Sequence, residues 1–501
     1  MTRHIPPRST LLLGVLALAA ALSTSAIPML AQPRMLPHNL RMSREKAAAV
    51  LQAWNGRLPY VPGEVLIKFR DGVDTAGQVR ALSALRAGIE GRNARWIGDV
   101  LWVRAADEPD AEQLATALAR QPEVAWAQPN YVRRTKARPN DPEYAARQWN
   151  FDLIDVPRAW DINAGAAESI TIAVLDSGMT TVTDTFRFPL WTGDRIEEVA
   201  VPFRVNPDIS AARVLPGRDF IFWDGPVLDM DGHGTHVAGT ALEETNNNLA
   251  LAGIAYNAKL LPLKVCVGYW EIQIVVSDRG IPGFVDPEET GFCDDAAITE
   301  AVRYAADNGA QMINLSLGGP GQSPALLEAL RYAVGRGAFI SMSAGNEFDE
   351  GNPLEYPAGY GPQIEGAMTV GAVGADSTRA FYSNTGTYVE IAAPGGNPRD
   401  GSPRGFVWQS TPFFLDFDPF TVTRPRFDRF NLGGFAGTSM AAPHIAGIAA
   451  LLSTQGINRP AAIEAALARF ATDLGAPGRD NDYGFGLVNA RASLRGFGVA
   501  K

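Results

Sequence analysis

The stretch Ile170–Gly178, ITIAVLDSG, is an apolar run that ends in an acid, Asp176, and two small residues. A short, nearly continuous apolar run is typical of a strand that is buried on both faces of a sheet. In an open parallel sheet, ligands bind beyond the carboxyl ends of the strands. Asp176 is therefore well placed for a functional site, although a single acid at a strand end is also a common helix cap or turn residue.

Further apolar runs alternate with amphipathic stretches along the C-terminal part of the chain. The predicted strands are Lys259–Val265, Gln311–Leu315, Ala338–Ser343 and Ala367–Val373. The predicted helices are His236–Glu244, Ala296–Asn308, Pro324–Gly335 and Ser439–Ser453. Strands separated by helices predict an α/β fold, with a doubly wound, mostly parallel sheet and helices on both faces.

A smaller pattern precedes this one, from Tyr60 to Arg134. Val65–Arg70 alternates like a strand, and Ile97–Val103 reads as a second strand. Helical spacing lies between them, Asp110 opens another helix, and a last strand follows. This order, which leaves room for a fourth strand, predicts a small sandwich of the ferredoxin-like α+β type.

The N-terminus has the features of a secretory signal peptide. Arg3 and Arg8 precede the apolar run Leu11–Leu22, which small residues follow. The run is short for a membrane span of about 20 residues, but a membrane anchor is the alternative. We expect cleavage after Ala26, with Ala31 as the second choice. The predicted divisions are a signal peptide at 1–26, a connector at 27–59, a small domain at 60–134, a polar, proline-bearing linker at 135–148 and a large domain at 149–501.

The composition is that of a globular protein, with 46% hydrophobic and 20% charged residues among 501. The net charge of −10 is uneven, because residues 1–135 hold 17 basic and 11 acidic residues and the remainder is strongly acidic. An acidic body argues against nucleic acid as the main partner. The opposite charges suggest instead that the two parts attract each other, although phosphate or heparin binding by the basic part is an alternative.

Two more segments carry chemistry. The first, Asp231–Gly239 (DGHGTHVAG), holds two of only five histidines, His233 and His236. The zincin spacing is absent, which disfavours a metal. The second, Phe435–His444 (FAGTSMAAPH), places Ser439 near a helix N-terminus, where a developing negative charge is favoured. A serine there can also be only an N-cap.

The three segments gain meaning together. A serine hydroxyl is a weak nucleophile that needs an imidazole to take its proton, and the imidazole needs a carboxylate to orient it. The chain supplies Asp176, His233 and Ser439 in that order, which is the order of subtilisin.

All three motifs resemble those of the subtilisin-like serine proteases, the subtilase family, and the resemblance covers residues 140–495. Residues 60–134 resemble the inhibitor-like propeptide of secreted subtilases. The resemblance implies that Asp176 orients the imidazole, that His233 is the general base and then the general acid, and that Ser439 is the nucleophile. It also implies an oxyanion hole made by the Asn346 side chain and the backbone N–H of Ser439, with His236 structural.

Substrate-binding residues follow from the same resemblance. Ser316, Leu317 and Gly318 resemble the strand that pairs with an extended substrate peptide, and Ser343, Ala344 and Gly345 resemble the facing wall of the S1 pocket. This pocket takes P1, the substrate residue whose carbonyl is attacked. Tyr356-Pro357 resembles a dipeptide that is cis in family members.

Glu355 departs from the small residue that is common near the floor of that pocket. A carboxylate there would attract Lys or Arg at P1, and self-processing after Arg134 would place an arginine at that position. A broad apolar preference is the family default and remains the alternative.

Calcium is implied by residues 246–253, which resemble the family's calcium loop. Asn247 would offer a side-chain oxygen, Leu249 and Leu251 backbone carbonyls, and Asp184 a carboxylate. An ordinary polar turn is the alternative, and the chemistry itself requires no cofactor.

Cys266 and Cys293 bound a long acidic stretch. In an exported protein we expect them to form a disulfide, with two buried thiols as the alternative. The stretch Asn397–Leu432 reads as a surface insertion without an assigned role.

These observations predict a secreted serine endopeptidase, made as a self-processed precursor. Its partners would be peptide or protein substrates and its own propeptide, which would act as chaperone and inhibitor. We expect a monomer that is extracellular or periplasmic, with no membrane contact after signal cleavage. An esterase or lipase is one alternative, although Ala441 stands where its motif needs glycine. An inactive peptide-binding relative is the other.

Overall fold

The computed structural model describes residues 44–55, 58–83, 94–105, 110–132, 139–222, 225–286, 291–412 and 424–496. The predicted signal peptide and the predicted cleavage after Arg134 lie outside these residues. The chain divides into two compact units, Met1–Arg133 and Arg134–Lys501. Within the described residues, no helix combines the length and the apolar character that a bilayer crossing requires.

The smaller unit is a four-stranded antiparallel sheet with helices. Its elements are α1 Arg44–Asn55, β1 Tyr60–Phe69, α2 Thr75–Leu82, β2 Ala94–Ile97, β3 Val100–Arg104, α3 Ala111–Ala119 and β4 Val124–Tyr131. The strand order is β2-β3-β1-β4, and every neighbouring pair is antiparallel. Val65 and Ile67 of β1 pack with Leu114 and Leu118 of α3 in its core. The ferredoxin-like prediction is confirmed.

One predicted strand of this unit is wrong in detail. The stretch Ile97–Val103 is not a single strand, because β2 ends at Ile97 and β3 begins at Val100. Gly98 turns the chain with a left-handed φ of 62°, which glycine adopts without steric cost. The dipeptide Gly98-Asp99 between apolar residues was the sequence signal for this hairpin.

The larger unit has thirteen described strands, seven of which form its central sheet. Its strands in chain order are β5 Thr171–Asp176, β6 Asp184–Trp191, β7 Ile196–Phe203, β8 Arg218–Asp219, β9 Lys259–Lys264, β10 Cys266–Val267, β11 Phe292–Cys293, β12 Met312–Leu315, β13 Phe339–Ser343, β14 Ala367–Val373, β15 Ile391–Pro394, β16 Val407–Thr411 and β17 Asn431–Phe435. The sheet order is β15-β14-β13-β12-β5-β9-β8, and all neighbouring pairs are parallel. The doubly wound α/β prediction is confirmed.

Helices cover both faces of this sheet. They are α4 Tyr144–Arg147, α5 Trp149–Leu153, α6 Val156–Trp160, α7 His233–Leu242, α8 Tyr269–Asp278, α9 Asp295–Asp307, α10 Pro324–Gly335, α11 Thr438–Thr454, α12 Pro460–Arg469 and α13 Ala490–Arg495. Side chains of β5 alternate between two cores. Ile172 and Val174 join the core that holds α7 and α11, whereas Ala173 and Leu175 join the one that holds α9 and α10.

The topology reverses direction beside β5. From this strand the sheet runs to β9 and β8 on one side and to β12, β13, β14 and β15 on the other. Such a switch point opens a crevice at the carboxyl ends of the two central strands. Asp176 ends β5 and Ser316 follows β12, so the crevice lies where the sequence motifs converge.

Three excursions from the sheet pack on one another. They are the hairpin β6–β7, the segment 266–293 that contains α8, and the segment 397–432 that carries β16 and part of β17. Cys266 and Cys293 form the expected disulfide. The rings of Phe203 and Phe427 stack with centroids 5.0 Å apart, and Trp270 joins the same apolar cluster. Part of the insertion at 397–432 therefore anchors the other two excursions.

Candidate active site

The structure brings Asp176 and His233 into direct contact. Asp176 ends the buried strand β5, and α7 begins at His233. The Nδ1 atom of His233 lies 2.6 Å from Oδ1 of Asp176, and the backbone N–H of Ser177 donates to the same oxygen. The imidazole keeps 30% of its side-chain surface exposed, whereas the carboxylate keeps 3%. A buried carboxylate thus orients a partly accessible imidazole.

The surroundings of His233 favour its charged form. Burial lowers the pKa of the imidazole, but the charge of Asp176 and its hydrogen bond, together with Asp231 and Asp229, raise it to about 9 overall. An imidazole accepts a proton only in its neutral form. As a general base, His233 would therefore work best in alkaline solution.

Asp229 is a buried acid that the sequence analysis missed. It accepts hydrogen bonds from the backbone N–H groups of Asp231, Gly232 and Thr235 and from the hydroxyls of Thr235 and Ser177. Ser177 Oγ in turn accepts from the N–H of Gly234. The first turn of α7 is therefore tied to the end of β5. An acid just before a helix start was the available sequence signal.

The contact between the first turn of α7 and the end of β5 also requires glycine at position 234. A Cβ there would lie 2.2 Å from the carbonyl oxygen of Gly178, far inside van der Waals contact. The small residues of the DGHGTHVAG motif thus allow the helix to approach the strand, and this approach brings His233 to Asp176.

Ser439, in the first turn of α11, lies beside the end of the neighbouring strand β12. Ser316 Oγ donates to the carbonyl of Ser439 at 2.8 Å, and Ser439 Oγ donates to the carbonyl of Ser316 at 3.3 Å. Helices α7 and α11 pack on each other, and their first turns lie at the same edge of the sheet because their hydrogen-bond partners, Asp176 and Ser316, lie at the carboxyl ends of the adjacent parallel strands β5 and β12. Within the described residues, the hydroxyl of Ser439 does not hydrogen-bond to His233. Catalytic hydrogen bonds are often long before substrate binds.

Asn346 and the start of α11 frame a small space. Asn346 Oδ1 accepts from the N–H and the hydroxyl of Thr438, at 2.8 and 3.0 Å, which leaves its Nδ2 group as a donor. A Cβ on Gly437 would lie 3.7 Å from both Asn346 Nδ2 and the backbone nitrogen of Ser439. Two N–H donors therefore flank a space that glycine keeps open, as an oxyanion hole requires.

The predicted substrate segments follow two adjacent strands. Ser316, Leu317 and Gly318 continue β12, while Ser343 ends β13 and is followed by Ala344 and Gly345. Gly319 and Tyr356 exchange backbone hydrogen bonds, and the bond Tyr356-Pro357 is cis, as expected. This pairing brings Glu355 between the two segments. A Cβ on Gly318 would lie 2.6 Å from Glu355 Oε2.

The other two described histidines are structural. His236 stacks on Phe435 at 4.5 Å, its Nε2 lies 3.0 Å from the carbonyl of Val407, and burial lowers its pKa to about 3. His444 lies 2.9 Å from Asn150 Nδ2, and burial lowers its pKa to about 4. Both are fully buried and neutral, which leaves His233 for proton transfer.

The predicted calcium loop is surrounded by carboxylates, but Asp184 is not one of them. Asp141 accepts from the N–H groups of Asn246 and Asn247, and Asp208 accepts from Asn247 Nδ2 at 2.6 Å and from the N–H of Leu251. Asp184 instead begins the exposed end of hairpin β6–β7 and caps its own neighbour, Thr185. The contacts described for Asp184 thus do not include the loop, and its role as a calcium ligand stays a prediction.

The chemistry of this group suits a hard cation. Burial raises the pKa of Asp208 to about 7, against the hydrogen bonds from Asn247 and Leu251, and Asp141 and Glu244 add to the rise. Burial also raises the pKa of Glu243 well above its usual value. The surrounding residues thus compensate these charges only in part. Within the described residues, no three His, Cys, Asp or Glu side chains form a metal group, so a cation here would need amide and carbonyl oxygens as well.

Comparison with known proteins agrees with this geometry. Residues 167–486 match the model of the Subtilase family (peptidase S8), and residues 46–130 match that of the fervidolysin N-terminal prodomain. The chain is 29% identical to a thermophilic serine proteinase of Bacillus sp. (strain AK1) over 446 residues, which are 89% of this chain and 90% of that protein.

Two further similarities cover the larger unit. Thermitase of Thermoactinomyces vulgaris is 30% identical over 319 residues, 64% of this chain and 86% of thermitase. A solved protease of Pseudoalteromonas arctica is 26% identical with a TM-score of 0.53, covering 72% of this chain and 99% of its own. The chain therefore belongs to the subtilase family of serine proteases and carries a fervidolysin-like prodomain ahead of its subtilase domain.

Proposed function

We propose that the chain is the precursor of a secreted serine endopeptidase whose catalytic residues are Asp176, His233 and Ser439. The observation that carries the proposal is the convergence of three features at the switch point of the sheet. These are the Asp176–His233 contact of 2.6 Å, the serine held at the end of β12, and the two N–H donors beside Gly437.

The geometry supports an acyl-transfer mechanism. His233 Nε2 takes the proton of Ser439 Oγ as this oxygen attacks the substrate carbonyl carbon, and Asp176 holds the opposite ring nitrogen. The oxyanion that forms accepts hydrogen bonds from Asn346 Nδ2 and from the backbone N–H of Ser439. Its collapse breaks the C–N bond, and His233 passes the proton to the leaving amine.

Hydrolysis of the acyl-enzyme reverses these roles. Water enters after the amine leaves, His233 takes one of its protons, and the new oxyanion occupies the same two-donor space. Its collapse releases the carboxylic acid and returns a proton to Ser439 Oγ. The backbone of Ser316, Leu317 and Gly318 would hold the substrate as an added strand, which favours peptides over compact esters.

The precursor organisation rests on the small unit and on the leader. The prodomain has its own apolar core, and the N-terminal 135 residues, which include it, carry 17 basic and 11 acidic residues, whereas the rest of the chain is acidic. We propose that it assists folding and inhibits the enzyme until a cut between residues 133 and 138 releases it. Export follows from the basic and apolar leader at 1–26, and the mature enzyme would be a monomer.

We also propose a structural calcium ion at the loop 246–251. Asp141, Asp208 and Asn247 would hold it with side-chain oxygens, and Leu249 and Leu251 with carbonyls. Calcium prefers such oxygen donors, and the buried, partly compensated carboxylates supply the charge. The ion would stabilise the fold and take no part in the reaction.

Active-site labelling tests the function directly. A sulfonyl fluoride should label the mature protein on Ser439 and stop hydrolysis of casein, whereas Ser439→Ala should neither label nor digest. Absence of label on the wild type, or equal label on both proteins, would contradict the serine-hydrolase assignment. Labelling with hydrolysis of esters but not of casein would point to the esterase alternative instead.

A further inference from the structure

Glu355 occupies the slot between the two predicted substrate segments. Its Oε2 atom would lie 2.6 Å from a Cβ on Gly318 and 2.9 Å from a Cβ on Gly345. Any side chain at Gly318 or Gly345 would occupy the slot, so the Glu355 carboxylate fits between the two segments because both positions are glycine. Gly345 also has a left-handed φ of 110°, which disfavours any other residue there.

A second carboxylate lies at the same place. Glu347 Oε2 would lie 3.0 Å from the same Cβ on Gly345, so the two carboxyl groups lie beside each other, and burial together with the neighbouring Glu347 raises the pKa of Glu355. A carboxyl–carboxylate hydrogen bond requires that one of the two groups is protonated. Asn384 is fully buried, and its Nδ2 atom, which would lie 2.3 Å from a Cβ on Gly345, donates to Glu347 at 3.2 Å.

The cations near the slot have other partners. Arg379 pairs with Asp482 and stacks on Phe348, and Arg399 pairs with Asp349. Among the described residues, no lysine or arginine forms an ion pair with Glu355 or Glu347. The pair is thus a concentration of negative charge and acceptor atoms that this chain leaves without a counter-ion of its own.

The slot opens beside the attacked carbonyl. Ser439 is hydrogen-bonded to Ser316, which begins the first wall (residues 316–318). Asn346 directly follows Gly345, which ends the second wall (residues 343–345). A peptide whose carbonyl oxygen lies between Asn346 and the N–H of Ser439 would direct the side chain of that same residue between the walls. The carboxylates therefore face the P1 side chain.

We propose that Glu355 and Glu347 form a two-carboxylate S1 pocket that selects arginine or lysine at P1, and that the basic side chain displaces a proton the two acids share. The proposal rests on the proposed endopeptidase function. A guanidinium or ammonium group would satisfy both acids by charge-assisted hydrogen bonds. An apolar side chain would leave the half-buried pair without a counter-ion, compensated only by its shared proton and by the N–H donors that Asn346 and Asn384 direct at Glu347.

The selectivity should depend on pH. Burial, the charge of Glu347 and the shared hydrogen bond raise the pKa of Glu355 to about 7. Tyr388 also faces this carboxylate, and burial raises its pKa to about 12, so it stays neutral. As the pH rises through 7 the pair loses its proton and gains a negative charge. The preference for a basic P1 side chain therefore increases between pH 6 and 8.

The test compares peptides that differ only at P1, with Arg, Lys, Leu or Phe, using active-site-titrated mature enzyme. We expect kcat/KM for Arg to exceed that for Leu by about 10- to 100-fold at pH 8, as for a charged hydrogen-bonded pair. Glu355→Gln should remove most of this ratio, and Glu347→Gln should remove its pH dependence. Glu350→Gln, an exposed acid on the same segment, is the matched control and should change neither.

The ratio of two substrates separates this proposal from its premise. Because both peptides use the same His233, the Arg-to-Leu ratio cancels the titration of the triad and any inactive fraction. A wild-type preference for Leu or Phe, or an unchanged ratio in Glu355→Gln, overturns the pocket while leaving the peptidase intact. A ratio that does not vary from pH 6 to 8 overturns the shared proton. Failure of the enzyme to take the sulfonyl fluoride label would instead remove the proposed function itself.

Discussion

Two buried carboxylates of the catalytic domain, Asp229 and Asp208, are satisfied in different ways. Asp229 accepts five hydrogen bonds from described groups, four at the start of α7 and one from the hydroxyl of Ser177 after β5. Asp208 accepts from Asn247 Nδ2 and from the N–H of Leu251, lies near Asp141 and Glu244, and has a pKa that burial raises to about 7. A carboxylate surrounded by fixed donors positions a helix, whereas one surrounded by other acids indicates a place for a cation.

The largest loss of activity is expected from removing the carboxylate of Asp229 and, with it, the hydrogen bonds that hold the start of α7. Asp229→Ala removes the acceptor that ties His233 to the end of β5, so the imidazole loses its fixed position. A displacement of about 1 Å costs about 100-fold in rate, and we expect at least that loss in kcat/KM on a peptide substrate. Asp161→Asn, at an exposed site, should leave kcat/KM unchanged. A fall of less than about threefold for Asp229→Ala would show that other contacts hold α7 in place.

Changes at Asp208 should alter the calcium dependence of the thermal stability and leave catalysis nearly unchanged. Chelation should lower the Tm of the wild-type enzyme, because a ligand at 100 times its Kd contributes about 2.7 kcal/mol of stability. Asp208→Asn should remove most of this calcium-dependent difference and leave kcat/KM at low temperature nearly unchanged. The melting curves are recorded on sulfonyl-fluoride-inhibited enzyme to prevent self-digestion. Asp184→Asn is the control, and an equal loss of the calcium response in both variants would refute the assignment.

The smallest effect concerns the charges around His233. A protonated imidazole cannot accept the Ser439 proton, so kcat/KM should fall as the pH drops through the His233 pKa of about 9. Asp231→Asn removes one of the charges that raise this pKa, so the acidic limb should move to lower pH. A shift of half a unit increases kcat/KM by about threefold on that limb. The pH profile of kcat/KM decides this, and a limb that stays in place or moves to higher pH is evidence against the electrostatic account.

Much of the sheet and of the site could be predicted because each depends on local patterns. The apolar runs around Ile172, Ile313 and Ile340 are long and bounded, and the motifs at Asp176, His233 and Ser439 are contiguous. The two-residue strand β8 and the edge strand β15 carry no such pattern, since their pairing is decided by neighbours. Hairpin β6–β7 does alternate, from Phe186 through Phe188 to Leu190, and could have been found.

Apart from Asp229, the residues that were missed have partners that are distant in the sequence. Asp141 and Asp208 were missed because they meet the predicted ligand Asn247 only when separate segments of the chain fold onto its loop. Similarly, Glu347 became a candidate for the S1 pocket only when its oxygen was found beside that of Glu355 across Gly345. A single sequence shows each of these as an isolated polar residue. The structure supplies the neighbours that distinguish a ligand from a surface acid.

The aromatic cluster around Phe203, Phe427 and Trp270 bears on how the enzyme resists cleavage by other molecules of itself. A protease in solution meets its own molecules, and its loops are the segments most open to cutting. Here three excursions are held to one another by this cluster, and a disulfide closes the one that contains α8. To present any of them as an extended substrate, the protein must first separate contacts that belong to the other two. We therefore expect the described parts of the excursions to protect one another against autolysis.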